Sequence, residues 1–522
     1  MQNKVYKKIY RHNTIKLINI RQITTVMGKK NSEGKNESIK EIGITVKKTD
    51  DFSEWFTQSI IKSELADYSA VSGCIVYRPD SYLVWEKIVR ITDAKLKKSG
   101  VKNSYFPLFI PERLLMKEAT HLEGFSPEVA WVTHAGDTKL DEKLAIRPTS
   151  ETIMYDSYSR WIRSWRDLPL RLAQWNNVVR WEFKHPVPFL RGREFLWVEG
   201  HTVFATKQES VDEGKEIVDI WEDVLKNYLA TASFTGMKSK KETFAGAEYT
   251  ISLESVLPNG KAIQGPDFHH DGQIFSKAYD IKFLNKDGEQ EFAYQNTWAI
   301  STRNLGIMLG IHGDDKGVII PPKVAINHVV IVPILFEESM DKVLQKCSEI
   351  KDELSKTKYH DERIGVIIDD RDYKPGYKFN HWELKGMPLR IELGPKDLDK
   401  DSAVIARRDT GEKITVKISE IPSKVKELLD AVQSNLYENS LKIMNDSIAK
   451  TDDLEQFKLF IDEKKIVYSP FCNNPECEEN IKTMTGAKTL NAPLDQEKLD
   501  ENTKCVSCGA PADKWFYFGK SY

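Results

Sequence analysis

Apolar positions recur with a helical period at Phe52, Trp55, Phe56, Ile60 and Ile61, so ordered structure is expected to begin near Thr49. A second period follows Pro79, with Tyr82, Trp85, Ile88, Val89 and Leu96 as its buried face. This predicts a helix capped by Asp80 or Ser81 and closed by Lys97, Lys98 and Gly100. Residues 105–110 read as a short apolar strand ended by Pro111. Ile217, Val218, Trp221, Val224, Leu225 and Tyr228 predict a further helix.

Beyond Pro321 and Pro322 the pattern changes. Residues 328–334 and 363–368 are rich in β-formers and flank an amphipathic stretch at 340–354. Such alternation up to about residue 436 predicts a smaller α/β unit with parallel strand pairing, and the two prolines mark its boundary. Residues 441–522 form a third unit. No internal repeat is present.

Composition narrows this picture. A length of 522 residues suits two to four domains, and 40% hydrophobic residues suffice for a core in each. Net charge is only −2, so a nucleic-acid partner would have to be met by a local basic patch. No apolar run reaches the roughly 20 residues needed to span a bilayer; the stretch at 329–336 is interrupted by Pro333. Residues 1–26 carry six basic residues and no acidic one. They read as an extension ahead of a true start at Met27, as a basic RNA arm or as a transit peptide. Residues 28–36 have the composition of a disordered linker. Cys74 and Cys347 stand alone, as reduced thiols of a cytoplasmic protein do.

Four stretches carry chemistry. RPTSE, at 147–151, opens a helical pattern, where its hydroxyls serve either as caps or as ligand contacts. The stretch at 180–201, RWEFKHPVPFLRGREFLWVEGH, puts Arg180 and Glu182 on one face of a strand flanked by Val178, Val179 and Phe183, followed by a loop with Arg191 and Arg193. A returning strand then places Phe195, Trp197, Glu199 and His201 on one face. A core face would be uniformly apolar, so this row predicts a pocket. In GKAIQGPDFHHDGQIFSKAYDIKF, at 260–283, the adjacent His269 and His270 point to opposite faces of a strand, which argues against a shared metal ion. In QNTWAISTRNLGIMLGIHGDD, at 295–315, Arg303 sits at a strand–helix junction, where the plain alternative is a structural ion pair.

Together these stretches resemble the prolyl-tRNA synthetases, of class II. Arg180-Trp181-Glu182-Phe183 and the loop to Arg191 resemble motif 2, Thr302-Arg303 with the Gly-rich helix resembles motif 3, and the strand at 106–111 resembles the dimer-forming motif 1. RPTSE, WEFKHP, FLWVEGH and the paired histidines are specific to the proline enzymes. The resemblance covers about 52–522. It implies an α+β chain: a class II antiparallel-sheet catalytic domain at 49–322 after a basic extension and disordered linker at 1–48, an α/β anticodon-binding domain at 323–436, and a small α/β zinc-binding domain at 437–522.

The resemblance also implies the activity. ATP would join L-proline as prolyl-adenylate, and the prolyl group would pass to the 3′ end of tRNA(Pro). The nucleophile is a carboxylate already ionised at neutral pH, so the chemistry needs cations and positioning more than a base. By resemblance, Arg180 and Arg303 are catalytic. Arg180, Glu182, Arg191, Gln264, Ser301 and Arg303 hold ATP with Mg²⁺, while Thr149, Glu151, Arg180, Phe195, Trp197, Glu199, His201 and His269 hold proline. At Pro266, Asp267 and Phe268 the sequence departs from the small, hydroxyl-bearing residues usual in the family. An acid at 267 would meet the proline amine or Mg²⁺, or would repel ATP. The interval 201–301 leaves no room for the editing domain of bacterial-type enzymes, so no deacylation of alanyl-tRNA is expected.

At the far end, Cys472-x4-Cys477 and Cys505-x2-Cys508 have the spacing of a structural zinc site. They resemble the C-terminal domain of archaeal and eukaryotic-type enzymes, whose terminal Tyr, here Tyr522, folds toward the catalytic domain. Basic residues at 371–378 and 385–396, near Tyr and Trp, suit single-stranded bases, with a solvated surface as the plain alternative. The family implies a homodimer acting in the cytoplasm, with no membrane partner. Other readings are a regulatory paralogue, a trans-editing deacylase, or a sister enzyme for threonine, serine or histidine. The first two would not need Arg180, Arg191 and Arg303, and the threonine enzyme would need a metal-binding Cys that the pocket row lacks.

Overall fold

The computed structural model describes residues 43–119, 128–182 and 186–522. The basic extension and linker at 1–36, and Phe183 of the second stretch, lie outside the described residues. The first helix, α1 (Phe52–Lys62), starts at Asp51, whose carboxylate accepts from the Ser53 and Glu54 amides. It buries Phe52, Trp55, Phe56 and Ile60.

The second helix, α2 (Pro79–Lys98), differs from expectation at its start. Pro79 occupies the first helical position and Arg78 the cap, with no side-chain cap bond. The Ser81 hydroxyl turns inward and donates to Leu65 O. The buried residues are Ser81, Val84, Trp85, Lys87, Ile88, Thr92 and Leu96, and Tyr82 is exposed. Small polar residues complete this buried set, and a count of large apolar ones misses them. The strand expected at 105–110 is shorter and shifted to Phe109–Pro111, which pairs with Thr138–Ile146 in a three-stranded sheet. Residues 104 and 106 are held by the neighbouring strand instead, through Ala173 O and the Gln174 side chain.

The central layer is an eight-stranded sheet. Its strands are β1 (Lys102–Asn103), β2 (Leu170–Val179), β3 (Glu194–Phe204), β4 (Phe234–Met237), β5 (Tyr249–Val256), β6 (Ala262–Gly272), β7 (Tyr294–Ser301) and, from far along the chain, Ala492–Pro493. The spatial order is β1-β2-β3-β7-β6-β5-β4 with Ala492–Pro493 outermost, antiparallel throughout except β1 with β2. The helices that serve this sheet include α3 (Glu151–Trp161), α4 (Lys207–Asp223), continued by a π-helical turn at Val224–Tyr228, and α5 (Arg303–His312). The main core gathers Trp55, Trp85, Trp221 and Trp298. Trp298 lies so close over β3 that a Cβ on Gly200 would come 2.1 Å from its ring. Strands and helix fill the interval 201–301.

In the second unit, β8 (Val329–Pro333) pairs in parallel with β9 (Val366–Ile368) and β10 (Leu389–Leu393), as the alternation predicts. Two antiparallel strands, β11 (Ser402–Arg407) and β12 (Lys413–Lys417), extend the sheet, so it is mixed. Helix α6 (Met340–Lys356) and helix α7 (Pro375–Leu384) complete the crossovers. Helix α8 (Ile421–Ser447) runs unbroken through Leu436, joining the second unit to the third. The third unit has α9 (Leu454–Asp462), α10 (Pro475–Thr485) and a four-stranded sheet that includes Ile466–Phe471 and Lys514–Gly519. The chain end returns to the catalytic sheet: Ala262 N–H donates to Lys520 O at 2.9 Å, and Tyr522 N–H donates to Ala262 O at 3.2 Å. Among the described residues no helix is long and apolar enough to cross a membrane.

Candidate active site

Directly paired residues in an antiparallel sheet share a face about 5 Å apart. Across β3, β7, β6 and β5, one such row is Glu199, Ala299, Asp267 and Ser252. The next is His201, Thr297, His269 and Thr250. Both rows contribute to the floor of a cleft of about 410 Å³. Pro148, Thr149 and Glu151, at the start of α3, wall one side. Arg180 and Glu182 wall another, and Lys238, Glu242 and Phe244, from the loop between β4 and β5, a third. The small Ala299 leaves room above the floor between Glu199 and Asp267.

Arg180 and Glu182 are not on a strand as expected. β2 ends at Val179, where Arg147 O takes the Val179 amide, and the chain turns. The turn releases the Arg180 side chain from the pleat. Its Nε donates to Pro148 O at 3.0 Å, and its guanidinium lies 5.2 Å from the Trp197 ring and 5.5 Å from that of Phe195. Packing on aromatic faces fixes the fork at the cleft wall.

The hydroxyls of RPTSE do not cap α3. No side-chain cap bond forms at Ser150, and its hydroxyl and its amide (3.0 Å) both donate to Glu199. Asn176 Nδ2 (2.7 Å) and Thr149 Oγ1 (3.2 Å) donate to the same carboxylate, and His201 Nε2 lies 3.1 Å away. Burial opposes charge on Glu199. The bond to His201 and its charge, with the Ser150 and Asn176 donors, outweigh burial and hold the carboxyl below its ordinary range. Thr149 also donates to the buried Glu151. Behind this cluster, burial and then Glu151 push the Asp271 carboxyl well above its ordinary range, and it takes one bond from Thr297 at 3.4 Å.

On the opposite side, Asp267 accepts from Gln264 Nε2 at 2.9 Å and lies 3.5 Å from His269 Nε2. Burial works against its charge, but His269, Arg180 and Arg303 keep it ionised. Its Oδ1 is buried without a hydrogen-bond partner among the described residues. Arg303 donates to Leu190 O at 3.1 Å and Gln264 O at 3.3 Å. Burial, and then Arg180, lower its pKa.

The cleft thus gathers Thr149, Glu151, Arg180, Glu182, Trp197, Glu199, His201, Gln264 and His269. Arg303 adjoins it through Gln264, and Ser301 accepts from the Arg303 amide at 3.3 Å. Arg191 and Phe195 instead line a smaller neighbouring cavity with Tyr77 and Cys74. His270 faces away from the cleft, its Nδ1 2.9 Å from Asn296 Oδ1. Sequence reasoning missed Asn176, Lys238, Phe244, Thr250 and Thr297. Thr297 was readable from strand alternation, whereas the loop residues carry no periodic signal. In the third unit, the Sγ atoms of Cys472, Cys477, Cys505 and Cys508 all lie within 4.8 Å of one another.

Three family models match the chain: "tRNA synthetase class II core domain (G, H, P, S and T)" over 131–312, "Anticodon binding domain" over 328–428, and "Prolyl-tRNA synthetase, C-terminal" over 454–522. Among curated proteins, the chain is 44% identical over 503 residues to "Proline--tRNA ligase, cytoplasmic" of Arabidopsis thaliana, covering 95% of this chain and 93% of that one. It is 43% identical over 473 residues to "Proline--tRNA ligase" of Oceanobacillus iheyensis, covering 91% and 97%. A solved structure of prolyl-tRNA synthetase from Cryptosporidium parvum, complexed with halofuginone and AMPPNP, superposes with a TM-score of 0.88 at 43% identity, covering 92% of this chain and all of that one.

Proposed function

The chain belongs to the prolyl-tRNA synthetases, and we propose that the cleft over Glu199, Ala299 and Asp267 is where it uses ATP to load proline onto tRNA. The observation that carries this is the split floor. One end, with Thr149, Glu151, Glu199 and His201, is anionic and rich in acceptors, as a secondary ammonium requires. At the other end the guanidinium groups of Arg180 and Arg303, beside the ionised Asp267, supply the forked cations that phosphates require. The proline carboxylate would sit between them against Arg180, in line with the α-phosphate. Being ionised already, it needs no proton removed, and the arginines stabilise charge on the phosphorus oxygens. Trp197 and His269 would bound the ring, with Phe195 beside Trp197. Glu182, Gln264 and Ser301 would take the nucleotide, and Arg191 its terminal phosphate. The adenylate would then pass its prolyl group to the tRNA 3′ end.

Mg²⁺ suits oxygen donors that accompany phosphates. The unpartnered Asp267 Oδ1 beside Gln264 fits it, and with Glu182 these residues would hold the ion. Zinc fits the four thiols: Zn–S bonds near 2.3 Å in a tetrahedron place sulfurs about 3.8 Å apart, and the Cys472–Cys508 and Cys477–Cys505 separations are both 3.7 Å. Its role would be structural.

The domains would run 49–322, 323–436 and 437–522. Arg371, oriented by Asp369 through two 2.8 Å bonds, and the paired rings of Tyr373 and Tyr377, 4.4 Å apart, support base recognition by the middle one. Exposed Tyr105 and Phe109 beside the short strand support a homodimer. We place the enzyme in the cytoplasm. ATP–pyrophosphate exchange with a panel of amino acids tests the central reading: exchange should depend on proline, and exchange driven by threonine, serine or histidine would overturn it.

A further inference from the structure

The loop between β4 and β5 brings Lys238, Glu242 and Phe244 to the cleft. It is joined to the catalytic floor at one end. Phe244 N–H donates to Thr250 Oγ1 at 3.1 Å, Thr250 Oγ1 lies 2.8 Å from His269 Nδ1, and the Phe244 ring lies 4.7 Å from the His269 ring.

Glu248 N–H, donating to His270 O at 2.7 Å, and Lys238 Nζ, donating to Glu254 Oε1 at 2.6 Å, also tie it to the catalytic sheet. A further set of anchors belongs to the third unit, more than 200 residues away in sequence. Lys240 N–H donates to Asn473 Oδ1 at 2.9 Å. The buried Ser239 and Thr489 hydroxyls lie 3.1 Å apart. Lys241 pairs with Glu479, and Lys488 lies 3.8 Å from Glu242. Within the loop, Ser239 relays the hold: its Oγ accepts from Glu242 N–H at 3.2 Å, and its carbonyl accepts from Thr243 N–H at 2.9 Å.

Asn473 is singular among these anchors. It follows Cys472 directly, and its φ of 56° is a left-handed conformation that Asn tolerates and most residues do not. Its amide also donates to Asp513 Oδ2 at 3.2 Å, so its carbonyl oxygen is aimed at Lys240 by a fixed partner. Ion pairs on the exposed loop surface contribute little by themselves. The directional bonds from Asn473 and Thr489 are therefore the ones by which the third unit fixes the loop.

We propose that Asn473, with Thr489, is a positioning residue of the amino-acid pocket. The cysteine-bearing unit clamps the 238–248 loop, and the loop in turn sets Phe244 and His269 against the bound amino acid. The substrate named here rests on the reading of the cleft given above, whereas the clamp itself does not.

Asn473→Gly removes the side chain and keeps the left-handed backbone. In the ligand-free full-length protein it should speed amide hydrogen exchange at 240–247 by about tenfold, while exchange in β6 and β7 stays near the parent rate. In pyrophosphate exchange it should raise the proline KM about tenfold with kcat and the ATP KM within about twofold. The double variant Asn473→Asp with Asp513→Asn keeps an acceptor facing Lys240 and a donor between 473 and 513, and should restore both readouts. Unchanged loop exchange in Asn473→Gly would overturn the clamp. Faster loop exchange with an unchanged proline KM would overturn the positioning role, as would equal rises in the ATP and proline KM without rescue. Parent protein that exchanges with another amino acid would fail the reading of the cleft while leaving the loop result standing.

Discussion

His201 Nε2 sits 3.1 Å from Glu199 Oε2, and both residues are buried. The carboxylate is held ionised by His201, Ser150 and Asn176 against the cost of burial. Its folded pKa lies below the unfolded one. Its stabilising contribution is therefore complete above the unfolded pKa and is lost as pH falls through the folded value. Glu199→Gln should abolish proline-dependent exchange and, by leaving an imidazole and an inward-facing amide poorly matched, lower stability at neutral pH by about 3–5 kcal/mol. In thermal melts the gap between parent and variant should narrow as the medium becomes more acid. A gap that widens in acid would contradict the assigned ionisation.

Arg180 is held by one bond to Pro148 and by two aromatic faces, so its charge matters less than its fork. Arg180→Lys should keep the fold and still lower kcat for pyrophosphate exchange by about 10²–10³, the loss seen for one oxyanion-hole donor. Arg180→Ala should do at least as much. Near-parent exchange in Arg180→Ala would remove this residue from the chemistry.

Gly200 lies on β3 between Glu199 and His201, with its open side under the Trp298 ring. Gly200→Ala would drive a methyl to 2.1 Å from that ring. The cost should reach or exceed the roughly 1–3 kcal/mol typical of overpacking. Denaturant melts should show it, together with weaker proline binding, because a shift of β3 at Gly200 moves Glu199 and His201 on either side of it.

Much of this was legible in the sequence because it follows a period. The alternation of Trp197, Glu199 and His201 is a property of one strand, and the structure keeps it. So is the opposition of His269 and His270. What was not legible depends on where strands stop and which strands meet. Arg180 leaves β2 one residue after Val179, a boundary set by the Arg147 carbonyl 32 residues earlier. The boundary placed at 436 falls inside α8, which buries Leu436 and Ser440 on one continuous face. The pairing of Ala492–Pro493 with β4 joins residues about 255 apart, and no local pattern encodes it. The Asn473 and Thr489 contacts to the 238–248 loop follow from that pairing.

The four thiols should take up one zinc per chain, measurable by mass spectrometry of metals. Cys477→Ser, which removes a buried ligand, should lose the metal and lower the melting temperature. Parent protein free of zinc after expression with zinc supplied would refute the site.

Residues 520–522 pair directly with the start of β6 in the catalytic sheet. Ala262 on β6 gives its amide to Lys520 O and takes the Tyr522 amide on its own carbonyl. The Tyr522 hydroxyl accepts from Asn259 Nδ2 at 3.2 Å, and Lys261 Nζ lies 4.7 Å from its ring. Removing residues 520–522 leaves both polar groups of a buried residue unpaired, just two positions before Gln264 and five before Asp267. Exchange activity should fall about tenfold, as expected when remote support misplaces a positioned group by a fraction of an ångström. Tyr522→Phe keeps the backbone bonds and most of the ring packing, so it should retain most activity. If the phenylalanine variant and the truncation lose activity equally, the hydroxyl and not the backbone pairing is what the catalytic sheet needs from the tail.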